Sequence, residues 1–250
     1  GRSEEAIAAY EEALRLDAGQ AGEARSRLFA IYLAQNRSDE VIALYRQLLR
    51  ENPDSVEALR GLADANIAAG QPEAALDAYD LFLARPENRN SIAALLAQGE
   101  TLRSLGQLDQ ALAAFERAAR LAGTAGSVQP QVEQARTLAL LGRVDEAEAA
   151  YRAIVQRIED PATAAGLTGD LAQAYAGLGR LLLGENRVDE AEAVAAAALA
   201  AQPDSAAVQL LAGDLSRFQG RRAEALAAFR RAQDLAPGNV VAATRIGDLL

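Results

Sequence analysis

The sequence has no cysteine, histidine, methionine or tryptophan, and its 25 basic residues are all arginine. Without cysteine there is no disulfide, no thiolate nucleophile and no sulfur-ligated metal, and the redox compartment is left open. With histidine and lysine also gone, the usual general bases, nucleophiles and Schiff-base formers are missing. The carboxylate pairs that remain, such as Glu11 with Glu12 and Asp189 with Glu190, are adjacent residues that point apart on a helix. No calcium-loop, zinc or phosphate-loop spacing appears. The expectation is a chain that is not an enzyme and carries no cofactor and no catalytic or metal-ligating residue.

Other scarcities narrow the field further. Nineteen glycines and seven prolines in 250 residues are too few for a fibrous or disordered chain. Aromatics make up 4% while half of the residues are apolar, and alanine is abundant. That mixture can bury a core and favours helices meeting at close range. No apolar run reaches the length of a membrane span and nothing resembles a signal peptide, so direct membrane insertion is not expected. Cytoplasm and bacterial periplasm are both compatible. The net charge is −10 with acidic and basic residues interspersed. No basic stripe exists to neutralise phosphates, so a nucleic-acid partner is not expected either. Arginine used to the exclusion of lysine suggests a GC-rich bacterial genome.

What is present is repetition. The heptad RVDEAEA occurs at 143–149 and again at 187–193. Small turn residues before each acidic-then-alanine start fall at Gly1, Asn36, Gly70, Gly106, Gly142, Asn186 and Gly220, giving gaps of 35, 34, 36, 36, 44 and 34. Between these anchors, apolar residues recur at helical spacing before and after the turn, which predicts two amphipathic helices per unit. Segment 22–55 is the cleanest copy: Leu28, Phe29 and Tyr32 precede Asn36, Val41, Tyr45 and Leu48 follow it, and Pro53 closes it. Small residues fall where paired helices would cross, as at Ala63 with Ala75, Gly99 with Ala111, Gly179 with Ala191 and Gly213 with Ala225. Pro53, Pro203 and Pro237 sit where a helix has already ended. Asp39, Asp109, Asp145 and Asp189 open second helices, at the positive end of the helix dipole.

A period of about 34 residues built this way resembles the tetratricopeptide repeat family, and the resemblance covers nearly the whole chain. It implies an all-α fold, a right-handed superhelical solenoid spanning 1–250. The segments read as 1–21, the second helix of a cut repeat; 22–55, 56–91, 92–127 and 128–159, repeats; 160–205, a repeat with a lengthened first helix; 206–239, a repeat; and 240–250, the first helix of a cut repeat. The 44-residue gap places an insertion at 159–171, where Asp160 and Pro161 look like an N-cap and first helical residue, predicting a helix from about 161 to 184. The stretch at 122–131 reads as a loop. With no starting methionine, repeats cut at both ends and Leu249 and Leu250 at an uncapped apolar end, the parent protein is expected to continue through neighbouring domains. The family's bulky aromatic early in the first helix is kept only by Tyr175, and is replaced by Arg25, Leu59, Leu95, Gln131 and Gln209. Gln98 and Gln134 stand where the family has a core leucine, and are expected to be paired or turned outward.

The resemblance also implies that first helices line a concave groove that takes peptide or protein segments. Its positions fall on Ser26, Ala30 and Leu33; Arg60, Asp64 and Ile67; Leu96, Glu100 and Arg103; Val132, Arg136 and Ala139; Ala176, Arg180 and Leu183; Leu210, Asp214 and Arg217; and Thr244 and Asp248. From these the candidate ligand groove is Arg60, Asp64, Ile67, Leu96, Glu100, Arg103, Arg136, Arg180, Leu183, Leu210, Asp214 and Arg217. Aliphatic anchors and charges in one row suit a peptide, the former for affinity and the latter for register. The lysine-and-asparagine clamp for terminal carboxylates does not carry over, since there is no lysine and Asn66 falls on a core-facing row. An asparagine ladder does not either, because the sixth positions read Arg27, Gly61, Ala97, Glu133, Gly177, Leu211 and Arg245. The functional expectation is a non-enzymatic protein-interaction scaffold. Two alternatives stand beside it: a structural spacer arm of a bacterial envelope or exopolysaccharide-export machine, and a regulatory arm of an enzyme outside this segment. Arg136 and Arg180 share one groove position in neighbouring repeats, with Asp64 and Glu100 before them and Asp214 and Asp248 after. They are expected to meet in the groove and favour a ligand with a central acidic residue and basic flanks, the plainer alternative being ion pairs with Glu100, Glu133 or Asp214.

Overall fold

The computed structural model describes residues 2–16, 22–53, 55–123, 126–160, 164, 167–168 and 171–250. The protein is an all-α chain of helix pairs that divides into two compact units, 1–106 and 107–250. The first unit holds α1 (Arg2–Leu16), α2 (Gly22–Ala34), α3 (Ser38–Glu51), α4 (Val56–Ala68), α5 (Pro72–Leu83) and α6 (Ile92–Ser104). The second holds α7 (Leu108–Ala122), α8 (Gln129–Leu140), α9 (Val144–Glu159), α10 (Leu171–Gly184), α11 (Val188–Ala201), α12 (Ala206–Phe218), α13 (Arg222–Leu235) and α14 (Val240–Gly247). Within each unit, helices adjacent in sequence pack together; in the second, the first helices α8, α10 and α12 also stack on one another. Among the described residues no helix is long and apolar enough to cross a membrane.

The turns inside the helix pairs explain the spacing of the sequence anchors. Asn36, Gly70, Gly106, Gly142, Asn186 and Gly220 all have φ between 57° and 74°. A left-handed residue there lets the chain close an i→i−5 backbone bond around the helix end: Arg37 N donates to Tyr32 O, Gln71 N to Asn66 O, Arg143 N to Leu138 O, Arg187 N to Leu182 O and Arg221 N to Ser216 O, at 2.8–3.0 Å. Glycine takes that conformation without a Cβ clash, and asparagine is the residue that tolerates it best after glycine.

The two kinds of helix start differently. Three first helices use short polar caps: Ser55, Ser91 and Asn239 accept from the backbone N–H three residues on, whereas Val128 and Ser205 before α8 and α12 make no side-chain cap bond. Four second helices have arginine at that position and no side-chain cap. There the guanidinium grips a glutamate in the first helical turn instead, as Arg37 with Glu40, Arg143 with Glu146, Arg187 with Glu190 and Arg221 with Glu224. The glutamate also lies at the positive end of the helix dipole. RVDEAEA is therefore a helix-start cassette, used at α9 and α11. Its second copy does more: Arg187 also bonds Glu148 of α9, while Arg152 of α9 bonds both Glu148 and Glu190, tying two successive second helices together.

Close approach between helices depends on glycine at two kinds of place. A Cβ on Gly213 would lie 2.4 Å from Cε1 of Phe229, which is fully buried. One on Gly61 would lie 2.1 Å from Cζ of Tyr45, and one on Gly177 would meet the ring of Tyr151 at 2.4 Å. The aromatics of second helices thus fill the space left by glycines on first helices. Ala63, Ala75, Ala111, Ala191 and Ala225 are all fully buried. At the early position, Leu59, Leu95 and Tyr175 are buried, whereas Gln131 and Gln209 reach back to carbonyl oxygens of the preceding connections, Gly123 O and Pro203 O. Gln98 donates to Asp80 Oδ1 of the preceding repeat at 2.6 Å, and Gln134 is partly exposed.

The insertion differs from the expected continuous helix over 161–184. Leu167–Thr168 is a short strand, β2, and the helix begins at Leu171. β2 runs parallel to β1 (Gly126–Ser127), with Gly126 opposite Leu167 and Ser127 opposite Thr168. Of the rest of 161–170 only Ala164 is described, and it is helical; the predicted start at Pro161 lies outside the described residues. The segment read as a loop at 122–131 contains β1 and the start of α8. Residues 124–125, just before β1, lie outside the described set.

Candidate functional site

The predicted groove residues divide six and six between the two units. In the first, Arg60 and Asp64 are both well exposed and stand 3.9 Å apart one turn along α4. Asp64 also accepts from the hydroxyl of Tyr79, 3.1 Å away. Burial and that carboxylate together push the Tyr79 pKa well above the tyrosine range. Ile67 is 42% exposed, Leu96 and Arg103 are half-buried, and Glu100 is exposed. Asn66 is buried and donates to Leu62 O, so it faces the core and not a ligand.

In the second unit the stacked first helices bring Arg136, Arg180, Leu210 and Asp214 to one region. A cleft of about 400 Å³ is lined by Arg136, Gln173 and Arg180 on one side and by Ser205, Ala206, Ala207, Leu210, Asn239 and Val241 on the other. A second, of about 300 Å³, shares Arg136 and Arg180 and is walled by Ala139, Leu140, Tyr151, Gly177 and Leu181. The two arginines stand at the junction of both spaces, as their shared repeat position predicts. Leu183 does not line either: it is 8% exposed and belongs to the core, and Val132 and Ala176 are likewise buried. On α10 the cleft-lining positions that keep partial exposure are Gln173, Gly177, Arg180 and Leu181.

The arginines are held differently. Arg136 is pinned by Glu133 at 3.3 Å and by Gln173 Oε1 at 3.2 Å, and it also interacts with the Tyr151 hydroxyl. This is the plainer alternative, realised for one arginine of the two. Burial raises the Tyr151 pKa, against the opposing pull of Arg136 and Arg180. Arg180 has no ion pair or hydrogen bond among the described residues. Burial holds its pKa below the usual arginine value, with Asp214 acting in the opposite direction from beyond ion-pair distance. Asp214 itself is 7% exposed and lies between Arg217 Nη2 at 3.4 Å and Arg245 Nε at 3.1 Å. The acidic flank expected after Arg180 is therefore already neutralised, and a basic ligand flank has no free partner at Asp214. Arg217 is exposed on its outer side.

Gln173, Tyr151, Asn239 and Arg245 belong to this site and were not among the predicted residues. Arg245 and Gln173 sit one and three residues from groove positions, where stacking turns them inward. Tyr151 enters from a second helix through the space left by Gly177, a pairing of glycine and ring across a repeat boundary that the sequence spells out only when both rows are aligned.

The sequence pattern of the tetratricopeptide repeat matches residues 27–90, 96–164 and 176–240, and a second pattern of the same repeat matches 1–20. The chain belongs to the tetratricopeptide repeat family. No curated protein matches it. Among solved structures, a tetratricopeptide repeat protein from Parabacteroides merdae is 18% identical, with 97% of this chain and 90% of that one covered at a TM-score of 0.70. PilW, a type IV pilus biogenesis factor, is 17% identical over 77% of this chain and 86% of its own, at 0.56. MamA is 21% identical over 67% of this chain and 90% of its own, at 0.54. At these identities the likeness is one of fold, an all-α helical-repeat solenoid. Tetratricopeptide repeats are in general non-enzymatic modules for contact with protein or peptide partners.

Proposed function

We propose that this tetratricopeptide repeat chain is an interaction scaffold that takes partner segments into the cleft on its first helices between α8 and α14. The observation that carries this reading is the cleft of about 400 Å³ in which arginine, glutamine and asparagine side chains face the exposed Val241 and the edge of Leu210, which is 6% exposed and otherwise part of the core. Apolar anchors with a few fixed polar groups are what peptide recognition requires. A cleft without a general base, thiolate or metal-ligand cluster among the described residues suits binding better than turnover.

The test is selection from a random peptide display library against the whole chain, repeated on a Val241→Asp variant checked for helicity by circular dichroism. Peptides enriched on the wild type and lost on the variant are the expected outcome. A folded variant that retrieves the same peptides equally well would remove the cleft from the function.

A further inference from the structure

Four arginines around the α8–α14 cleft, Arg136, Arg180, Arg217 and Arg245, face two buried carboxylates, Glu133 and Asp214. Glu133 is engaged by Arg136, and Asp214 by Arg217 and Arg245. That leaves Arg180 as a cation without a counter-charge in contact, half-buried where both clefts meet. A guanidinium taken partly out of water gains most from an anion that can accept two of its N–H groups at once. Arg136 is fixed alongside by three partners, with Glu133 offsetting its charge, so what it can add is an N–H donor already in place.

On either side of the arginines the walls carry aliphatic surface, in the larger cleft together with Gln173, Ser205 and Asn239. Leu140, 56% exposed, and Leu181 stand in one cleft; Val241, 52% exposed, stands in the other beside the edge of the buried Leu210. We propose that Arg180, assisted by Arg136, receives the side-chain carboxylate of an Asp or Glu in a bound partner segment whose neighbours on both sides are aliphatic. This rests on the reading of the cleft as a peptide site and gives that site its preferred sequence: aliphatic, acidic, aliphatic. It replaces the basic flanks that the order of charges along the sequence suggests, because Asp214 is already engaged.

The display selection above decides it when run in two formats, one with peptides embedded at both ends and one with a free C-terminus. Embedded peptides enriched in a single Asp or Glu between Leu, Ile or Val residues are expected. On Arg180→Gln the acidic residue should drop out of the enriched set while the aliphatic positions persist, and a synthetic wild-type-selected peptide should bind about tenfold more weakly. Arg180→Lys should recover part of that loss, and binding to the wild type should weaken with added salt. Enrichment without an acidic residue, or only with a free C-terminus, overturns the proposal and leaves the cleft reading standing. Enrichment indifferent to both Arg180→Gln and Val241→Asp overturns both, as does an absence of enrichment.

Discussion

A methyl group added at Gly213 meets a ring that has nowhere to go, whereas one added at Gly61 meets a ring with a solvent-facing side. Phe229 is fully buried, and Tyr45 is only half-buried against Phe29 at 4.3 Å between centroids. Alanine gains up to about 1 kcal/mol over glycine in a helix, and overpacking costs about 1–3 kcal/mol. Gly213→Ala is therefore expected to destabilise the protein by about 1–2 kcal/mol, while Gly61→Ala stays within about 0.5 kcal/mol of wild type. Urea unfolding followed by circular dichroism checks both, and equal losses at the two sites would show that ring mobility is not what separates them. Gly213 was legible in the sequence because small residues recur where paired helices cross, whereas Gly61 stood out only as a departure from an asparagine ladder. The state of Arg180 was not legible. Its lack of a partner depends on which carboxylates Arg136, Arg217 and Arg245 reach, and those are choices of side-chain conformation between repeats that no spacing encodes.

At the scale of the element, the left-handed turns were the most readable feature, since only glycine and asparagine serve them cheaply and the chain uses nothing else at those six positions. The insertion was the least readable. Asp160 followed by Pro161 has the chemistry of a helix start, but a two-residue parallel pairing has no periodicity, and Gly126 with Ser127 carries no strand signal. The arginine–glutamate clasps lie between these extremes, with the local pair visible as R-x-x-E and the bond across helices not. Arg187 joins Glu148 as well as Glu190, while Arg143 grips Glu146 within its own helix start. Arg187→Ala should thus lower the thermal midpoint more than Arg143→Ala, with a difference that shrinks in high salt. Glu148 is held below the ordinary carboxylate range by Arg187 first and Arg152 second, and Glu190 by Arg187 first. Because folding favours their charged forms, their contribution is complete above the unfolded glutamate value of about 4.3 and fades as pH falls through the lower folded values. Glu148→Gln should accordingly lower the midpoint at pH 7, with the gap to wild type narrowing at pH 3. A gap of the same size at both pH values would mean that the pairing contributes through packing alone.

For the whole molecule, stability should accumulate from neighbour to neighbour. In the second unit α10 packs on α9, α11 and α12, and α12 on α11 and α13, so removing residues 206–250 strips one neighbour from α10 and α11 and leaves their other contacts in place. A chain of residues 22–205 is expected to remain helical by circular dichroism with a lower midpoint, and collapse of its helical signal would contradict nearest-neighbour folding. The pairing of β1 with β2 departs from that rule of locality. Its partners are 41 residues apart, and everything between them includes a complete helix pair, α8 and α9. Bringing such distant residues together carries a loop-closure cost in entropy that two ladder positions cannot repay, so the strands can meet only once α8 and α9 have shortened the path between them. The small sheet is then a late arrival in time as well as a distant contact in sequence. Its amides should exchange with solvent whenever that one helix pair loosens, which makes them a built-in clock for the opening of the repeat that carries Arg136.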